Sequence, residues 1–188
     1  MIYIDDVPSC LLNWSRAGIV DKCLAELDKP LREILSEDIN QPITSIGSTL
    51  LHIAASNLNH PSVTVSFEAI ETLLVLGANP NVSDCYGRTP FVNLLVHSTS
   101  SLHNHEDTAL LLVELFINHN ANPNVYFTPN YVSHAGCDKW TLAHDLQADM
   151  HGASRWPLPS MVKSMLNQEL DFSLPDSEGR LPLNNHLT

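Results

Sequence analysis

The sequence predicts an all-α repeat solenoid, because one pattern is written twice in good form along a chain with enough apolar content for a continuous core. The run Gly47-Ser48-Thr49-Leu50-Leu51-His52-Ile53-Ala54-Ala55 is followed, after a helical stretch, by Leu73-Leu74-Val75-Leu76-Gly77-Ala78-Asn79-Pro80-Asn81. Asp84-Cys85-Tyr86-Gly87-Arg88-Thr89-Pro90-Phe91 opens a second copy, and Asn120-Ala121-Asn122-Pro123-Asn124 closes it. With 188 residues and 44% hydrophobic content, the chain is long enough to form one domain of stacked repeats.

Each landmark has a physical reason. Thr before Pro suits a helix start, since the hydroxyl accepts from an orphan backbone N–H and Pro, lacking that donor, fits the first turn. Ala54 and Ala55 thin one helix face so that neighbours approach closely, while Leu51, Ile70, Leu73 and Leu74 form an apolar seam at helical spacing. Gly77 ends the second helix, and Asn-Pro-Asn carries the chain out as a turn.

These motifs resemble the ankyrin-repeat family, whose unit recurs at about 33 residues. In the first copy Leu50 stands where Pro is usual. The resemblance implies helix-turn-helix pairs joined by short β-hairpin fingers, in a single domain spanning 1–188. Within it, 1–44 is a degenerate amino-terminal capping repeat that contains Leu11 to Gly18 and Ile19 to Leu35. Residues 45–83 and 84–125 are full repeats. Residues 126–174 form a repeat with a long finger, in which Lys139 takes the glycine position and Leu142 the proline position. Residues 175–188 are a partial repeat, Leu181 replacing Thr and Asn184 replacing His. The stop inside this last unit fits an excised piece of a longer protein, because terminal repeats normally carry a polar cap.

Composition narrows the function. A net charge of −12 with only nine Lys and Arg argues against a phosphate-backbone ligand and favours a protein partner with a basic surface. No cleavable leader and no apolar run of membrane-spanning length is present. Cys10, Cys23, Cys85 and Cys137 lack a framework spacing, so reduced thiols and a cytoplasmic setting are expected; a monomer is expected as well. Ten His raise the question of a metal. His103-Asn104-His105 and His134-Ala135-Gly136-Cys137 supply two donors each where zinc wants about four, so neither metal nor cofactor is expected.

Departures from the repeat point to the contact surface. Thr49, Thr89, Thr141 and Leu181 are separated by 40, 52 and 40 residues, so every repeat is enlarged. Asn57 to Val65, His97 to Asp107 and Met150 to Pro159 lengthen the links between paired helices. The insertion between Asn124 and Thr141 lengthens a finger and crowds Tyr126, Phe127, Tyr131, His134 and Cys137 into it. Exposed aromatics commonly anchor interfaces. Tyr126, Phe127, Tyr131 and His134, with Trp140 beside them, are therefore candidate contacts, the competing reading being a local aromatic cluster. The resemblance adds Asp84, Cys85, Tyr86 and Arg88 on the preceding finger and Ser56, Asn57, Val96 and His97 on the inner helices. It also marks Asn81, with Leu73 eight positions earlier, as a candidate for asparaginyl hydroxylation, against a plain turn-bonding role.

The sequence thus reads as a noncatalytic module that binds a protein through fingers and inner helices. Two settings fit: a host-directed effector of an intracellular bacterium, delivered into the host cell, or the scaffold portion of a larger eukaryotic protein. The alternative class is a cysteine hydrolase with Cys137 as nucleophile and His134 or His144 as base, which also needs an orienting third group and a preformed pocket.

Overall fold

The computed structural model describes residues 11, 35, 38–58, 62–97, 104–128, 139–150, 162, 166 and 169–182. Its helices are α1 (Leu50–Ser56), α2 (Val63–Val75), α3 (Pro90–His97), α4 (Glu106–Asn118) and α5 (Leu142–Met150).

Thr49 starts α1 although Leu50 has displaced the usual Pro. Its hydroxyl accepts from the His52 N–H, and the His52 ring returns the favour at the Thr49 N–H, a reciprocal cap made with imidazole instead of a carboxylate. Ser62 caps α2 by accepting from the Val65 N–H at 3.3 Å. Thr89 does the same for α3 through the Val92 N–H, also at 3.3 Å. At α4 no side chain caps the helix, but Glu106 and Asp107 place negative charge in the first turn, where it opposes the helix dipole.

The ends of α2 and α4 are closed alike. Gly77 takes φ +95°, and the Gly77 and Ala78 N–H groups donate back to Leu74 and Leu73 at 3.1 and 2.9 Å. At the end of α4 Asn120 occupies the same left-handed region, φ 61°, and the Asn120 and Ala121 N–H groups donate to Ile117 and Phe116, both at 2.9 Å. Asn tolerates that region better than other side chains do.

Stacking follows from size. Ala54, Ala55 and Ala69 are fully buried, and α1 packs on both α2 and α3, while α2 packs on α4. Leu51, Ile70, Leu73 and Leu74 all lie in the core, as their spacing predicts. In the second repeat Phe91 of α3 stacks on Phe116 of α4, with ring centroids 5.4 Å apart. Leu11, Leu35, Val162 and Leu166 are buried in helical backbone at either end.

The repeats are also tied by Asn side chains. Asn40 Oδ1 accepts from the Asn79 N–H at 2.6 Å. Asn81 donates to the Asn120 carbonyl at 2.8 Å and accepts from the Asn122 N–H at 2.7 Å. Asn124 donates to the Glu169 carbonyl at 2.9 Å and accepts from the Asp171 N–H at 2.7 Å. One short side chain thus satisfies two backbone groups of the next turn, and the device recurs at successive junctions.

The fingers depart from the expected β-hairpins. Among the described residues they are tight turns, with one isolated antiparallel bridge, Phe127 to Trp140. In the turn at Asp84, the carboxylate accepts from the Tyr86 and Arg88 N–H groups at 2.9 and 3.0 Å and pairs with the Arg88 guanidinium at 2.7 Å. Asp176 repeats this with Glu178 and Arg180. A turn closed on its own side chain leaves few backbone groups for a ladder. Single bonds then join neighbouring turns: Cys85 N–H to Ile46 O and Thr128 N–H to Tyr86 O, both 2.8 Å. Gly87 is required at this junction, because a Cβ there would sit 2.6 Å from the Tyr126 carbonyl oxygen.

Candidate functional site

Between the first two fingers and the helices α1 and α3 lies an open cleft of about 450 Å³, lined by Ile46, Ser48, Ser56, Asn57, Arg88 and Asn93. Ile46 and Ser48 come from the turn before α1, and Arg88 from the turn before α3. Asn93 projects from α3, and Ser56 and Asn57 from the end of α1. Local bonding holds each in place. The Ser56 hydroxyl donates to the His52 carbonyl at 2.8 Å and the Asn57 amide to the Ile53 carbonyl at 2.9 Å. Arg88 is fixed by Asp84 through Nε at 3.0 Å and Nη2 at 2.7 Å.

Beneath the cleft, His52 joins the two repeats. The Thr49 backbone N–H can only donate, so His52 Nδ1 accepts it at 3.1 Å, which places the ring proton on Nε2, facing the Arg88 carbonyl at 3.0 Å. Burial lowers the His52 pKa below 6.5, against the raising effect of the Arg88 carbonyl. His144 is arranged alike, with Nδ1 at 2.8 Å from the Thr141 hydroxyl and Nε2 at 3.3 Å from the Arg180 carbonyl. The corresponding residue of the second repeat is Val92, which has no such group. There the Trp140 carbonyl instead takes the Phe127 N–H at 2.9 Å.

Three large apolar or aromatic side chains are partly exposed on the fingers. Ile46, Tyr86 and Tyr126 are 36%, 41% and 37% exposed, on successive fingers. The Arg88 guanidinium lies 4.5 Å from the Tyr86 ring centroid, and the Lys139 ammonium 5.8 Å from that of Tyr126. Both rings therefore keep one cationic neighbour while presenting surface to solvent.

The structure divides the contact residues expected from the sequence. Ser56, Asn57 and Arg88 meet in the cleft, Arg88 being itself buried; Tyr86 lies against Arg88, and Tyr126 is partly exposed on the next finger. Phe127 and Trp140 require correction as exposed contacts: each is 2% exposed and belongs to the core, because their mutual bridge turns both side chains inward at the base of the long finger. Asp84 and Val96 are likewise buried, Asp84 because its carboxylate closes the turn and Val96 because it packs within the core of α3. Cys85 is a free, exposed thiol. Asn81 is exposed and bonded to the following turn. The side chain of His97 and residues Tyr131, His134 and Cys137 lie outside the described residues.

Three lining residues went unnoticed in the sequence: Ile46, Ser48 and Asn93. Asn93 had a signal, a single amide inside the apolar run Phe91-Val92-Asn93-Leu94-Leu95. Among the described residues, no helix is long and apolar enough to cross a membrane, and no group of three or more His, Cys, Asp or Glu could hold a metal ion.

No curated protein matches the chain. The ankyrin-repeat family model matches residues 46–85, which comprise the first finger, α1, α2 and the start of the second finger. This stretch of the chain is similar to the ankyrin repeat, a unit that generally mediates protein–protein interaction.

Proposed function

We propose that the chain is a noncatalytic interaction module that binds a protein partner across the finger row and the adjoining cleft. The observation that carries this reading is the juxtaposition of Ile46, Tyr86 and Tyr126, half exposed on successive fingers, with an open polar cleft along α1 and α3. Aromatic rings beside a concave, hydrogen-bonding wall have the composition of an interface centre, and stacked repeats present such surfaces in extended form. The net charge of −12 favours a basic partner by steering and by complementarity.

The test compares affinity capture by the wild type and by a Tyr86→Ala/Tyr126→Ala double variant. Both rings are partly solvated, so the variant is expected to melt close to wild type while losing its partner, each anchor contributing about 2 kcal/mol or more. Equal recovery of the same partner by a folded double variant would reject this surface.

A further inference from the structure

The turn that carries Tyr86 is closed on itself. The Asp84 carboxylate accepts from the Tyr86 and Arg88 N–H groups and pairs with the Arg88 guanidinium, and the Arg88 carbonyl accepts the Asp84 N–H at 2.9 Å. Two bonds reach back to the preceding repeat: the Cys85 N–H donates to the Ile46 carbonyl at 2.8 Å, and the His52 ring of α1 meets the Arg88 carbonyl at 3.0 Å. If the ring let go, the Arg88 carbonyl would keep its bond from Asp84. The turn would then hold its shape while losing part of its seat against α1.

His52 makes this connection as a neutral ring, Nδ1 accepting the Thr49 N–H at 3.1 Å and Nε2–H facing Arg88. A proton added at Nδ1 would set donor against donor there. The Thr49 hydroxyl oxygen, 2.9 Å away, can accept from it, but the charge would sit on a side chain with 0% exposure, where desolvation disfavours it. Of the charged groups facing the ring, Asp84 favours the imidazolium and Arg88 opposes it, and the two are paired with each other. On the helices packed against α1, Glu68 and Glu71 of α2 are exposed, and the side chain of His97 of α3 lies outside the described residues. We infer that His52 is a pH-sensitive tether: its protonation withdraws the ring from the Arg88 carbonyl and frees the Asp84–Arg88 turn, with Tyr86 on it, from α1. Since burial lowers the His52 pKa below 6.5, the finger is seated at neutral pH and released as pH falls through the folded-state value. The consequence for binding rests on reading Tyr86 as a contact residue: the surface is assembled at neutral pH and loosened in acid.

The test follows the full isotope-labelled chain by NMR between about pH 7 and about pH 5, the range in which imidazoles titrate. The His52 ring nitrogens, the Arg88 carbonyl carbon and the Tyr86 ring are expected to shift in one step with a shared midpoint below 6.5. The Cys85 amide should lose protection from hydrogen exchange over the same range. His52→Gln should flatten the Arg88 and Tyr86 profiles; if that variant does not fold, the wild-type midpoints decide, since all are read from the same spectra. A His52 ring that takes up its proton while the Arg88 and Tyr86 signals stay fixed overturns the inference, as does a ring that stays neutral until the whole chain unfolds. Because the free chain is titrated, either result leaves the interaction-module reading in place. A protein recovered by affinity capture at pH 7 should be released on acidification more readily by the wild type than by His52→Gln, and equal release overturns the pH control of binding.

Discussion

His52 is a single side chain with a predictable cost in acid. Its Nδ1 must stay unprotonated to accept the Thr49 N–H, and burial holds its pKa below 6.5. The unfolded chain therefore takes up the proton first as pH falls. The stabilisation is complete above 6.5 and is lost progressively as pH drops from there toward the folded-state pKa. Between about pH 7 and about pH 5, where imidazoles titrate, the melting temperature of the wild type should fall more steeply than that of His52→Gln, which carries no titrating group at this position. Parallel slopes would show that the ring does not act as a neutral acceptor. Other His residues titrate in both proteins, so the difference between slopes isolates this one.

At the scale of an element, the base of the long finger behaves as core. Phe127 and Trp140 exchange both backbone hydrogen bonds, at 2.9 and 3.0 Å, and Trp140 further packs in a tilted contact on the His144 ring, centroids 4.6 Å apart, and donates from its indole to Asp145 at 2.8 Å. The bridge thereby fastens the finger to the first turn of α5. Phe127→Ala should destabilise the chain by about 3 to 5 kcal/mol, the usual range for emptying a buried aromatic site, and chemical denaturation measures it. A loss below about 1 kcal/mol would mean that the ring is not enclosed as described. Tyr126, one residue earlier, is partly exposed and is the contact residue proposed for this finger.

For the whole molecule, the Asn links matter because a solenoid is held by nearest-neighbour interfaces. Asn81 spans one such interface with a donor and an acceptor bond. Asn81→Ala should cost about 1 to 2 kcal/mol, two exposed hydrogen bonds at ordinary net values. Hydrogen exchange should quicken first at the amide of Asn122, which loses its acceptor. An unchanged denaturation midpoint would mean that water replaces the Asn without loss.

The sequence by itself determined the helix starts and ends, because those are local, whereas the fingers were expected as β-hairpins and proved to be closed turns. Thr49, Thr89 and Gly77 act on groups within four or five residues, and the Asp84 and Asp176 turns close over the same range. It also carried the periodic Asn that joins one repeat to the next. Among the described residues at this finger, the tertiary structure alone decided which side chain reaches solvent. Tyr126 and Phe127 are adjacent aromatics of similar size, and only the pairing of Phe127 with Trp140, across an insertion of unpredictable path, sends one outward and the other into the core. The cleft was hidden for the same reason. Its walls come from residues up to 47 positions apart, Ile46 to Asn93, so it exists only once α1 and α3 have packed side by side.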